Sequence, residues 1–232
     1  MIISASRRTD IPAYYSQWMF KRLKDEYVLV RNPMNIHQVG KINLSPDVVD
    51  GIVFWTKNPV PMLSHLSELD KYNYYFQFTL TAYDRDVEPN IPSKNNIIIP
   101  AFQKLSQTIG REKVIWRYDP ILTNEEYNVS FHQEAFARIA HELKDHTSKC
   151  MLGFIDHYPH IRNSIQPFNI NPLTKEEIEE MAVSFKKTID IYPGIQLDTC
   201  TVKVDLRHLG IPSGLCIDKG LIEKITGYPI LA

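Results

Sequence analysis

Polar residues able to bind or transfer charge stand directly after apolar runs along this sequence. Ser6-Arg7-Arg8-Thr9-Asp10 follows the run 2–5, Arg31-Asn32-Pro33 follows 27–30, and Thr56-Lys57-Asn58-Pro59 follows 51–55. Gln77, Thr79 and Thr81 lie near the end of 74–80, and Arg117-Tyr118-Asp119-Pro120 closes 113–118. Asp156 follows 150–155, and Asp198-Thr199-Cys200 closes 195–200. The cations Arg7, Arg8, Arg31, Lys57 and Arg117 point to an anion, because a guanidinium offers carboxylate or phosphate two parallel hydrogen bonds. The acids Asp10, Asp119, Asp156 and Asp198 can neutralise those cations, orient them or transfer protons. Asp119, Asp156 and Asp198 are the catalytic candidates. The five cations and Asp10 are the substrate-binding ones.

These residues can act together only if the runs before them are parallel strands. The runs are short, apolar and separated by amphipathic stretches, which predicts an α/β chain with covered sheet faces. Helices are expected over 11–24, 61–70, 100–109, 131–144 and 219–225, a small hairpin over 37–44, and a long polar loop over 81–95. Thr174-Lys175-Glu176-Glu177 fits a capping box ahead of Ile178, Met181, Ala182, Phe185 and Ile189 at helical spacing. Seven strand runs favour a TIM-like (β/α) barrel over an open sheet. With no convincing eighth strand, the barrel is expected to be incomplete. One domain spanning 1–232 is expected, with its active site at the C-terminal ends of the strands. In run 113–118, Val114, Trp116 and Tyr118 share one face and Ile115 and Arg117 the other. Arg117 is therefore expected on the barrel's interior side, bonded to an acid from another strand end, Asp156 or Asp10.

Composition narrows the function. The 232 residues carry 26 Lys+Arg against 27 Asp+Glu, and 44% are hydrophobic. That is a globular balance. It does not support a broadly basic nucleic-acid coat, though a local basic pocket remains open. No run approaches the roughly 20 apolar residues of a membrane helix. MIISASRRTD places its arginines after the apolar residues, the reverse of a signal peptide. Cys150, Cys200 and Cys216 are widely spaced and form no CxxC pair, which suggests a cytoplasmic protein without disulfides. Cys200 and Cys216 are expected as small buried or loop residues. The eight histidines make no metal motif, although His157 and His160 have a tempting spacing in a polar loop. No GxGxxG or GxxxxGK[ST] occurs, so a nucleotide fold of either kind is unsupported.

Several words at these strand ends resemble the domain of unknown function family DUF1848, a bacterial family. They are residues 2–12 (IISASRRTDIP), 27–34 (YVLVRNPM), 53–59 (VFWTKNP), 75–81 (YFQFTLT), 114–121 (VIWRYDPI) and 216–219 (CIDK). The likeness covers nearly the whole chain. It implies a full or partial (β/α) barrel related to radical S-adenosylmethionine enzymes, and typical members of the DUF1848 family continue into a C-terminal cysteine cluster similar to the one that holds the iron–sulfur centre in those enzymes. In such enzymes three thiolates hold a [4Fe–4S] centre and S-adenosylmethionine chelates the remaining iron. This sequence ends at Ala232 and has no CxxxCxxC-like word, so neither cluster nor metal is expected within it. The sequence is truncated, or a shortened member, or has lost the cluster. S-adenosylmethionine and an iron–sulfur centre belong to longer members.

The leading expectation is an enzyme related to radical S-adenosylmethionine proteins, acting on a small anionic or polar substrate. A cluster-free acid–base enzyme using Asp119 or Asp156 is the alternative. A non-catalytic module for an anion, a nucleotide or a nucleic-acid end is the third.

Overall fold

The computed structural model describes residues 1–6, 8–155 and 166–230. Along the chain run β1 (Ile2–Ala5), α1 (Ile11–Tyr14), α2 (Ser16–Lys24), β2 (Tyr27–Asn32), β3 (Asn35–Asn43), β4 (Gly51–Thr56) and α3 (Val60–Leu63). There follow β5 (Tyr74–Thr79), α4 (Ile99–Ile109), β6 (Val114–Ile121), α5 (Val129–Leu143) and β7 (Lys149–Phe154). The chain continues through α6 (Lys175–Asp190), β8 (Gln196–Thr199) and α7 (Lys219–Thr226). Six strands form one parallel sheet in the order β1-β4-β5-β6-β7-β8, so the strands of this sheet lie side by side in chain order. The α/β class and the parallel sheet match the sequence expectation. Closure into a barrel does not appear, since among the described residues no ladder joins β1 to β8.

The run 27–30 departs from expectation. It pairs antiparallel with β3 as a separate two-stranded sheet, Tyr27 opposite Asn43 and Arg31 opposite Val39. The cause is local. Asn32-Pro33-Met34-Asn35 turns the chain back at once, whereas a parallel partner needs a crossover of about a dozen residues. The expected helix 11–24 is also divided, with Tyr15 at φ −134°, ψ 23° between α1 and α2.

Backbone packing groups the chain into two compact units, residues 1–76 with 217–232, and residues 77–216. In the first, Phe54 stacks on Phe76 at 5.0 Å between ring centres, and Tyr74 meets both edge-on. Helix α7 lies against β4 so closely that a Cβ on Gly51 would come within 2.9 Å of Ile222. In the second, Trp116 stacks on Phe136 of α5, which stacks on Phe185 of α6 at 4.2 Å. Tyr118 meets Phe136 and Phe185 edge-on, and Phe78 packs on Phe102 of α4. All of these rings but Tyr74, which is partly exposed, are buried. Offset and edge-on aromatic pairs add about 0.5–1.5 kcal/mol each beyond the area they bury. The capping box forms as read, with Thr174 accepting from the Glu177 N–H and Glu177 accepting from the Thr174 N–H. Among the described residues no helix is long and apolar enough to cross a membrane.

Candidate functional site

The alternation read in β6 is what the structure contains. Trp116 and Tyr118 face α5 and α6, so Arg117 and Asp119 project from the opposite face of the sheet. Parallel register aligns Arg117 with Met151 of β7, and Met151 with Asp198 of β8. The β6–β7 ladder then slips between Tyr118 and Ile121, at Pro120, which has no N–H to give. Such irregularities re-aim side chains.

Arg117 is 5% exposed and Gln77 1%. The guanidinium donates through Nε to Asp119 Oδ2 at 3.1 Å and again through Nη2. Gln77 Oε1 accepts from Arg117 Nη1 at 3.5 Å, while Gln77 Nε2 donates to the Cys216 carbonyl at 3.3 Å. Burial pulls the Arg117 pKa down, but the Asp119 carboxylate and a hydrogen bond to Cys200 outweigh it, and the net shift is upward. Arg117 is thus a firmly held cation whose described acid partner, Asp119, stands on its own strand, while Asp156 lies outside the described residues. Gly153 of β7 makes room for that acid: a Cβ there would lie 2.1 Å from Asp119 Oδ1.

Cys200 and Cys216, scattered in sequence, meet here with their Sγ atoms 3.0 Å apart. Gln77, Arg117, Cys200 and Cys216 therefore close a ring of polar contacts. Sequence reasoning missed this pair and the role of Gly153. The spacing C-x15-C carries no motif, and a glycine in a strand signals close approach only once its neighbour is known.

Asp198 is 3% exposed and engaged away from Asp119. It pairs with Lys149 Nζ at 3.2 Å and accepts from Gln196 Nε2 at 2.7 Å, and both of those partners begin their strands. Gly214 packs over it, with room for no Cβ beside Met151 at 2.7 Å.

In the first unit, Asp10 caps α1 by accepting from the Ala13 N–H at 2.9 Å. Its other oxygen accepts from Thr56 Oγ1 at 3.0 Å and the Lys57 N–H at 2.7 Å, tying the loop after β1 to the end of β4. Burial pushes its carboxyl above the usual range, against these hydrogen bonds. Arg8 is exposed beyond β1, where its N–H donates to Ser6 Oγ, and the Lys57 side chain is partly buried. Arg31 is exposed on the β2–β3 hairpin, so it does not stand at the end of a strand of the parallel sheet. Arg7, Asp156, His157 and His160 lie outside the described residues.

The thiolates do not fit a three-cysteine iron–sulfur centre. Cys150 pairs in register with Trp116, on the helix-covered face and fully buried, whereas Cys200 and Cys216 gather at Arg117. Among the described residues no three His, Cys, Asp or Glu side chains are placed to hold a metal.

The sequence model of the family described as "Domain of unknown function (DUF1848)" matches residues 2–231. No curated protein matches the chain. Among solved structures, spore photoproduct lyase complexed with dinucleoside spore photoproduct superposes with a TM-score of 0.51 at 17% identity. The alignment covers 84% of this chain and 59% of the lyase chain. At that identity the likeness concerns the fold alone.

Proposed function

We propose, from the premise that the chain belongs to the DUF1848 family, that it is an enzyme related to the radical S-adenosylmethionine proteins. In this reading it takes a small anionic or polar substrate at the C-terminal ends of its parallel strands. The observation that supports this most is the Arg117–Asp119 pair on the face of β6 opposite Trp116 and Tyr118. A cation this buried is costly unless paired, and here it is paired with a carboxylate whose side chain is 28% exposed. Arg117 holds Asp119 at an open strand end, and Asp119 is the group that meets substrate and handles a proton. Asp198 acts as a tie between β7 and β8, given its Lys149 and Gln196 partners. In the first unit, Asp10 positions the Lys57 backbone.

The solved relative in fold carries a dinucleoside ligand, which favours a nucleoside-like substrate for this chain also. Asp, Gln and Arg are the side chains that pair with base edges, and Arg also pairs with phosphate. S-adenosylmethionine and an iron–sulfur centre are implied by the family resemblance. The cysteines described here do not supply such a centre, and no role of Asp119 or Arg117 depends on it.

The test is calorimetric titration of the protein with a dinucleoside monophosphate. Asp119→Asn keeps the shape of the side chain but removes its charge. It is expected to weaken binding about tenfold or more, the worth of one charge-assisted hydrogen bond. Unchanged affinity in that variant removes Asp119 from the site.

A further inference from the structure

Two cysteines 16 residues apart in sequence meet at the end of β8. Cys200 is anchored there, its N–H donating to the Leu152 carbonyl at 2.8 Å. Thr201 then turns the chain with a φ of 54°, a left-handed value unusual for a β-branched residue. The chain returns alongside the strand: the Thr199 N–H donates to the Pro212 carbonyl at 2.9 Å, and the Gly214 N–H to the Thr199 carbonyl at 2.7 Å. That return delivers Cys216 to Cys200, sulfur to sulfur at 3.0 Å. Cys200 is 5% exposed, and Cys216 is half-buried and more accessible. Cys150 is sealed on the other face of the sheet, where burial pushes its thiol pKa far up.

We propose that Cys200 and Cys216 are a redox-modification site, converting reversibly between a dithiol and a disulfide. The oxidant is a small-molecule disulfide of the glutathione class. Cys216 attacks one of its sulfurs, forming a mixed disulfide and expelling one small thiol. Cys200 then attacks the Cys216 sulfur, the protein disulfide forms, and the second small thiol leaves. Two protein thiols and one small disulfide thus become one protein disulfide and two small thiols. The Arg117 guanidinium stands beside Cys200. Because the return segment already lies against β8, the bond closes without dragging the fold. It fastens that segment to the strand end and withdraws a sulfur acceptor from Arg117.

The experiment equilibrates the folded chain in glutathione buffers, then alkylates the remaining thiols under denaturing conditions and maps the peptides. Of the three cysteines, oxidising buffer is expected to leave one as a thiol, Cys150, with Cys200 and Cys216 recovered in one linked peptide. Dithiothreitol restores all of them. The oxidised protein is expected to melt about 5 °C or more higher, as closing a loop of this length implies. Cys200→Ser is expected to trap glutathione on Cys216, whereas Cys216→Ser leaves Cys200 unmodified. The proposal is overturned if all thiols survive oxidising buffer. It is equally overturned if wild type accumulates glutathionylated Cys216 without the linked peptide, or if Cys150 enters the linkage.

Discussion

Gly153→Ala places a methyl group 2.1 Å from Asp119 Oδ1 and 2.5 Å from its Cγ, far inside contact distance. Asp119 must rotate away, and both hydrogen bonds from Arg117 go with it. A hydrogen bond to a charged group contributes about 1.5–3 kcal/mol, and a buried cation left without its acid costs about 3–5 kcal/mol. Gln77 still contacts the guanidinium, and the lower unfolded-chain entropy of alanine returns about 0.5–1 kcal/mol. The net loss is therefore about 2–3 kcal/mol, or roughly 5–10 °C in melting temperature for a chain of this size. Urea unfolding of four proteins measures it: wild type, Gly153→Ala, Asp119→Ala and the double variant. Once Asp119 is truncated only its Cβ, 3.1 Å away, is left near the methyl group, so Gly153→Ala should then cost clearly less than in wild type. An equal cost in both backgrounds refutes the reasoning, because the glycine would then matter for a reason other than Asp119.

Acid should weaken the fold through His132, whose pKa burial lowers to about 4. Its ring is neutral between the Tyr118 hydroxyl at 2.9 Å and the Leu122 carbonyl at 2.8 Å. The unfolded chain takes up its proton near pH 6.5 and the folded chain only near 4. Stability should fall by about 3 kcal/mol as pH drops through that window, and His132→Gln should flatten the slope in thermal melts. Asp10 has the opposite sign. Its folded pKa is raised, so its contribution falls as pH rises through the window between its unfolded and folded values. Asp10→Asn should remove that dependence yet cost about 1–3 kcal/mol at neutral pH, since its amide would meet the Lys57 N–H donor to donor.

Most of the architecture was legible because each parallel strand is a short apolar run between amphipathic helices. The Thr174 capping box and the alternation of Trp116 against Arg117 carried through to side-chain contacts. The hairpin run 27–30 misled because its apolar residues satisfy a strand pattern whichever sheet receives it. Only the tight turn at Asn32–Asn35 decides the matter. Arg117 stands on the expected face, and it has a partner, Asp119, that the pattern did not name. Asp119 lies two residues ahead on the same strand, and only the slipped ladder at Pro120 and the bare Gly153 let it reach back. The Cys200–Cys216 contact depends on a return of the chain that no local spacing encodes.

Arg117→Lys tests the central claim most directly, with melting temperature and affinity for a dinucleoside monophosphate measured on the same samples. Lysine keeps the charge but cannot hold Asp119 Oδ2 through the planar Nε–Nη2 pair of donors. If the pair forms the substrate site, wild type binds and the variant binds about 10–100-fold more weakly, equivalent to about 1–3 kcal/mol. The account is contradicted if wild type fails to bind. It is also contradicted if the variant melts lower while its affinity is unchanged, for then Arg117 and Asp119 serve only to hold the strands together.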